Sequence, residues 1–140
     1  LRTTADLAAA VQAALPFVRG TPDEVRTVFQ ALRMVVNDEL AALEAGVAAA
    51  IDALRPGGRL VVIAFHSGED RVVKQALQTA ARTQRTRTPE GRTAHETPPR
   101  VRLLTRRPVT PDAAEVTRNP RAASAKLRAA ERLADGQADA

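Results

Sequence analysis

Five consecutive residues, His66-Ser67-Gly68-Glu69-Asp70, place an imidazole, a hydroxyl and two carboxylates side by side. Such a set can move a proton, orient a polar substrate or cap a helix. His66 admits two readings: a ring that satisfies a backbone carbonyl, or a substrate contact and proton acceptor. Ser67 and Asp70 have the spacing of a capping box, and Glu69 and Asp70 suit the positive end of a helix. A helix start at a strand end is also where ligands gather in open α/β sheets. Other chemistries find little support. His66 and His95 are the only histidines and there is no cysteine, so no metal site is expected. Ser67 lacks the G-x-S-x-G setting of a hydrolase nucleophile. Gly57-Gly58 precedes a strand instead of following one, so the dinucleotide fingerprint fails on order, and no Walker pattern occurs.

The elements that position this cluster are readable on either side. Pro56-Gly57-Gly58 is a breaker, and Leu60 to Phe65 is an unbroken apolar run rich in β-branched residues. It predicts a strand covered on both faces, as in a parallel sheet. A helix follows, with Val72, Val73, Ala76 and Leu77 as its apolar members. Upstream, Thr21 as cap, Pro22 and Glu24 start one long helix that runs to about Leu54. Val25, Phe29, Leu32, Val36, Leu40, Leu43, Val47 and Ile51 make its continuous apolar stripe. Arg33 and Asn37 lie on a polar stripe, which is a solvated face or a retained contact. Helix, turn and strand read as the second half of a βαβ crossover.

The flanks are simpler. Residues 1–20 read as one short helix capped by Thr3 or Thr4 and ended by Pro16 and Gly20. From Arg82 to Arg100 the chain is rich in Thr, Arg and Pro without apolar periodicity, and reads as an exposed, mobile, basic loop. Val101 to Thr105 is a strand candidate, and a short helix capped by Thr110 precedes Asn119-Pro120. Ser124 to Leu133 fits a helix by composition and a terminal strand by pattern. The tail from Ala134 is expected to be disordered.

The 140 residues suffice for one domain with a core. A net charge of +5, carried mainly by arginine, suggests an anionic partner, most simply nucleic acid. An arginine-rich proteome from a GC-rich genome would give the same balance. Three Phe with no Tyr or Trp argue against a base-stacking platform. The lack of cysteine fits a cytoplasmic protein. No apolar run is long enough to span a bilayer, and no signal peptide is seen, so no membrane partner is expected. Leu1 at the start reads as a fragment or a processed chain.

Four segments carry a more specific signal: Phe29 to Leu40, Arg55 to Lys74, Leu103 to Pro111 and Asn119 to Arg132. In this order and spacing they closely resemble the bacterial 16S rRNA (cytosine-N4)-methyltransferase family, MraW or RsmH. The resemblance implies an α/β fold, the C-terminal half of a Rossmann-like S-adenosylmethionine-dependent methyltransferase. Residues 1–26 would be the end of a helical insertion domain and 27–133 the C-terminal half of the catalytic domain. Residues 82–100 would be its mobile basic loop and 134–140 a disordered tail. The likeness tips Ser124 to Leu133 toward a final strand.

The implied function is S-adenosylmethionine-dependent N4-methylation of a cytosine in the decoding centre of 16S rRNA. The alternative is a non-catalytic RNA-binding or scaffold module derived from a truncated methyltransferase. The amine's lone pair is delocalised, so an acceptor must orient it and a proton must leave. His66, Glu69 and Asp70 have suitable chemistry for catalysis. Arg33, Asn37, Ser67, Lys126 and Arg128 are candidate RNA contacts. The family's glycine-rich cofactor loop would lie upstream of Leu1, so no cofactor-binding residue is expected here and the chain alone should be inactive. The small ribosomal subunit is the implied partner, and a homodimer is compatible with the chain. Three departures stand out: Gly68 for the family's Leu, Ala123 for its Arg, and Asn119-Pro120 running into Arg121. The first should loosen the turn and weaken the helix start.

Overall fold

A computed structural model describes residues 2–15, 23–87 and 93–134. The chain forms two compact units, Leu1–Glu39 and Leu40–Ala140. The expected Thr21-Pro22 helix start lies outside the described residues, as does the tail from 135.

The first unit contains α1 (Thr4–Ala14) and α2 (Asp23–Val36). Thr3 caps α1 in a capping box with Asp6, as the sequence predicts. The single long helix expected to reach Leu54 is broken. α2 ends at Val36, Asp38 takes a left-handed φ of 48°, and α3 (Glu39–Ala53) begins anew. The apolar stripe continues through the break, so periodicity alone does not reveal it. The physical signal is Asn37-Asp38, two residues that tolerate left-handed backbone and bond locally. Here Asn37 Nδ2 donates to the Glu39 carboxylate at 3.2 Å, and Arg33 Nε meets it at 2.8 Å.

The second unit is a layer of helices on one face of a sheet. β1 (Arg59–Ala64), β4 (Val101–Leu103) and β5 (Lys126–Arg132) form a three-stranded sheet in the order β1-β5-β4. β5 runs antiparallel to both neighbours. The ambiguous C-terminal stretch is thus a strand, against its local helical propensity, because its alternation pairs on both edges. α4 (Ser67–Ala80) follows β1, and α5 (Ala113–Arg118) follows β4. Asp112, not Thr110, caps α5 through Glu115 N–H at 2.7 Å. The core joins Ile51 of α3, Val73 and Leu77 of α4, Val101 of β4 and Ala130 of β5.

β1 is not covered on both faces. Leu60 and Val62 pack on the core, whereas Val61 and Ile63 on the other face are 54% and 53% exposed. The reason is topological: α3 and α4 supply apolar residues to one face only, and β1 pairs with β5 on one edge. At its start the turn needs glycine. Gly57 has φ +80°, and a Cβ on Gly58 would stand 2.8 Å from the Arg55 carbonyl oxygen. The same turn is tied to β5 by Gly57 N–H donating to Arg132 O and Arg132 N–H to Gly58 O, both at 2.8 Å.

The basic segment expected to be a loop is a two-stranded ribbon. β2 (Gln84–Arg87) pairs antiparallel with β3 (Thr93–Thr97), with an irregularity between Thr86 and Arg87. Arg85 opposes Glu96 across the ribbon at 3.2 Å. Thr and Arg accept an exposed extended backbone, and cross-strand charge pairing replaces the missing apolar alternation.

Truncating the core should separate the two faces energetically. Leu77→Ala should cost about 2–5 kcal/mol. Ile63→Ala should cost less than about 1 kcal/mol, since little of its surface is withdrawn from water. Urea unfolding of the two variants measures the difference.

Candidate active site and RNA-facing surface

The cluster at 66–70 sits where β1 ends and α4 begins. His66, not Ser67, is the helix cap: its backbone is extended and its Nδ1 accepts the Gly68 N–H at 3.1 Å. An accepting Nδ1 carries no proton, so the neutral ring holds its hydrogen on Nε2. His66 therefore offers a donor from Nε2, and its acceptor nitrogen is in use. Ser67 becomes the first helical residue and is exposed. Glu69 reaches back to accept the Phe65 N–H at 3.3 Å. The expected Ser67–Asp70 capping box is not formed: His66 caps at the Gly68 N–H, and Glu69 bonds the residue before the cap. Histidine is a less frequent cap than serine, which is why the S-x-x-D spacing misleads.

Asp70 points the other way, into the fold. Arg128 Nε donates to Oδ1 at 2.6 Å and Arg128 Nη2 to Oδ2 at 3.1 Å. The two side chains are 8% and 13% exposed, Arg128 and Asp70 respectively. Val62 pairs with Arg128 in the sheet, so the guanidinium lies on the core face beneath α4. Hydrogen bonds from Arg128 hold the Asp70 carboxyl below the usual carboxylate range, against the opposing effect of desolvation. Lys126, 4.0 Å away, and Lys74 act in the same direction. Asp70 and Arg128 are committed to each other, which gives both a structural role in joining α4 to β5.

Arg33 and Asn37 belong to the first unit, where both meet Glu39. Their hydrogen bonds, Arg33's first, lower the Glu39 carboxyl's pKa. Arg33 remains 60% exposed and free on its outer side to meet solvent. Lys126 lies at the end of β5 opposite Ala64, next to the His66 turn. On the sheet face away from the helices, Glu131 is held from two sides, by Arg59 at 3.2 Å and Arg102 at 2.8 Å. A separate cleft of about 330 Å³ opens at the far end of α4, between Ile51, Ala76, Arg82 and Arg100.

A cofactor cradle at this turn would need free acceptors. His66 Nδ1, Glu69 and Asp70 all have protein partners. Neither carboxylate has both oxygens free to take the two hydroxyls of a cofactor ribose, and no group of metal-binding side chains occurs among the described residues. These residues do not fit a cofactor ribose. No helix among the described residues is long and apolar enough to cross a membrane.

Residues 1–133 match the family model described as the MraW methylase family. The chain belongs to that family. Among curated relatives, the one from Thermomicrobium roseum is 54% identical over 98% of this chain and 42% of its own length. One from Ralstonia pickettii (strain 12J) is 51% identical over 94% of this chain and 42% of its own. One from Nitratidesulfovibrio vulgaris (strain Miyazaki F) is 50% identical over 99% and 39%. All three carry the name ribosomal RNA small subunit methyltransferase H. The chain therefore spans about two-fifths of the length of these MraW relatives.

Two outcomes follow. Asp70→Asn should cost about 3 kcal/mol at neutral pH, because it strands a buried guanidinium. Asp70 has a lowered pKa, so its contribution is full above about pH 4 and fades as pH falls through the lowered value. The gap between wild type and variant should close only in that acid range, as read by chemical unfolding at stepped pH. Gly68→Ala should add about 0.4–1 kcal/mol, since Gly68 is helical and has no positive φ. Thermal melts of this variant report on the helix start.

Proposed function

We propose that this chain is the C-terminal part of an enzyme that methylates the exocyclic N4 of a cytosine in the decoding centre of 16S rRNA. The observation that carries the reading is about 50% identity to proteins named as small-subunit rRNA methyltransferases along almost the whole chain. The fold agrees with a C-terminal half of a Rossmann-like domain, since doubly wound sheets commonly carry an antiparallel strand beside parallel ones. β1 and β4 run parallel to each other with β5 reversed between them. S-adenosylmethionine is the methyl donor in this reading, and it is held by other parts of the protein.

What this chain contributes is placement. The target base is single-stranded or extruded when it reaches the β1 end. The Nε2–H of His66 holds a base acceptor, such as the ring N3 or O2 of cytosine, and so aims the amine. Ser67 and Glu69 flank that position, and the Glu69 carboxylate, through the oxygen not bonded to the Phe65 N–H, is the group available for the departing proton. The basic exterior binds phosphates and accounts for the net charge of +5. A cytoplasmic site of action goes with an rRNA substrate.

The test uses the complete protein with radiolabelled S-adenosylmethionine and small-subunit RNA. Label should appear at cytosine N4 in one digestion fragment. His66→Asn keeps an acceptor for the Gly68 N–H but does not reach the position of Nε2. It should retain the melting temperature and lose about 100-fold in rate. RNA binding without methyl transfer by the complete protein would instead favour the non-catalytic RNA-binding module.

A further inference from the structure

Cations around the Asp70–Arg128 pair outnumber the anions available to them. Lys74 is on α4, seven residues past Ser67. That places it on the same helix face, about 10 Å along the axis from the His66 turn. Lys74 and Arg106 line one shallow depression whose floor includes Arg128. Both are exposed, and neither pairs with a carboxylate among the described residues. Lys126 has only a 4.0 Å approach to Asp70, whose oxygens already serve Arg128. Glu69 gives one oxygen to the Phe65 N–H and forms no ion pair with these cations among the described residues. At the rim of the depression, Thr105 Oγ1 accepts the Ala129 N–H at 2.9 Å, which leaves the hydroxyl proton free to donate.

The depression itself has room for about 10 Å³, too little for a base or a nucleoside. A tetrahedral anion that rests on the surface and takes several donors is the ligand class that fits. We propose that Lys74, Arg106 and Lys126, with the Thr105 hydroxyl, hold a backbone phosphodiester of the RNA strand presented to the His66 turn. Arg128 stays beneath, paired with Asp70, and fixes the floor. The identity of the strand as rRNA rests on the methyltransferase reading; the phosphodiester contact does not require the chemistry.

Fluorescence anisotropy of the 140-residue chain on a labelled single-stranded RNA 12-mer, across a potassium chloride series, tests the site. Lys74→Gln and Arg106→Gln should each weaken binding about 3–10-fold and lower the salt slope by about 0.7. Lys74→Arg should restore both. Arg55→Gln, the same charge change on an exposed residue before β1, should stay within about 2-fold. Thermal melts should be unchanged, since all these side chains are on the surface. Equal losses from Arg55→Gln and Lys74→Gln, or no RNA binding at all, would overturn the site. Displacement of RNA by millimolar inorganic phosphate beyond that by chloride of equal ionic strength would reassign it to free phosphate and overturn the proposal. Methylation by the complete protein separates the two levels. Transfer that persists while the Gln variants leave KM and salt slope unchanged sinks the phosphate site alone. Loss of RNA affinity in those variants, in a protein without transfer activity, supports the site and sinks only the enzyme reading.

Discussion

The bidentate pair between Asp70 and Arg128 is the constraint on which the candidate site depends. Its partners are 58 residues apart in the chain, one in the first turn of α4 and one in the middle strand of the sheet. A buried guanidinium is tolerable only with a fixed anion, and a buried carboxylate only with a fixed cation. Each residue therefore dictates the other's place. Because Asp70 sits one turn from His66, fixing it also fixes where the imidazole stands. Asp70 N–H donating to His66 O at 3.0 Å closes that turn. The strength of such a pair is not its net stabilisation, which desolvation largely offsets, but its intolerance of any other arrangement.

The same pairing explains how the site divides its labour. Asp70 is turned inward, so the acidic cluster seen in sequence is not one cluster in space. Glu69 folds back on the Phe65 N–H, and His66 spends Nδ1 on the Gly68 N–H. What remains uncommitted is the Nε2–H of His66, the Ser67 hydroxyl, one Glu69 oxygen and a fringe of lysine and arginine. That surface is rich in donors and poor in acceptors. Donor-rich surfaces suit substrates that bring acceptors, and a nucleic acid strand brings phosphate oxygens and base acceptors together.

Much of this was legible before the structure. The breaker, the apolar run and the helix after it were correctly located, because each has a local cause in glycine geometry, β-branching or amphipathic spacing. The resemblance also placed the last strand, which composition alone would have made a helix. The misreadings share a physical origin. Asn37-Asp38 breaks a helix whose stripe runs on, since side-chain bonding at a single turn leaves no trace in periodicity. The ribbon of 84–87 and 93–97 pairs without apolar alternation in its sequence, so alternation could not announce it. The Asp70–Arg128 contact is non-local. One sign was available: reading 126–132 as a strand puts Arg128 on the face of Ala130, and an arginine on a core face demands an acid.

β1 shows why such misreadings matter for function. Its sequence is that of a strand with apolar side chains on both faces, yet among the described residues only one face is covered. Val61, Ile63 and Phe65 stand in a row with more than half of each exposed, and exposed Val109 is bridged to Leu127, which pairs with Ile63. An apolar row of this kind costs solubility when bare, and evolution seldom leaves one unpartnered. The row runs toward Phe65, the residue next to His66. The bare face thus ends at the residue before the turn, while the helix-covered face carries the Asp70–Arg128 pair that holds the turn from beneath.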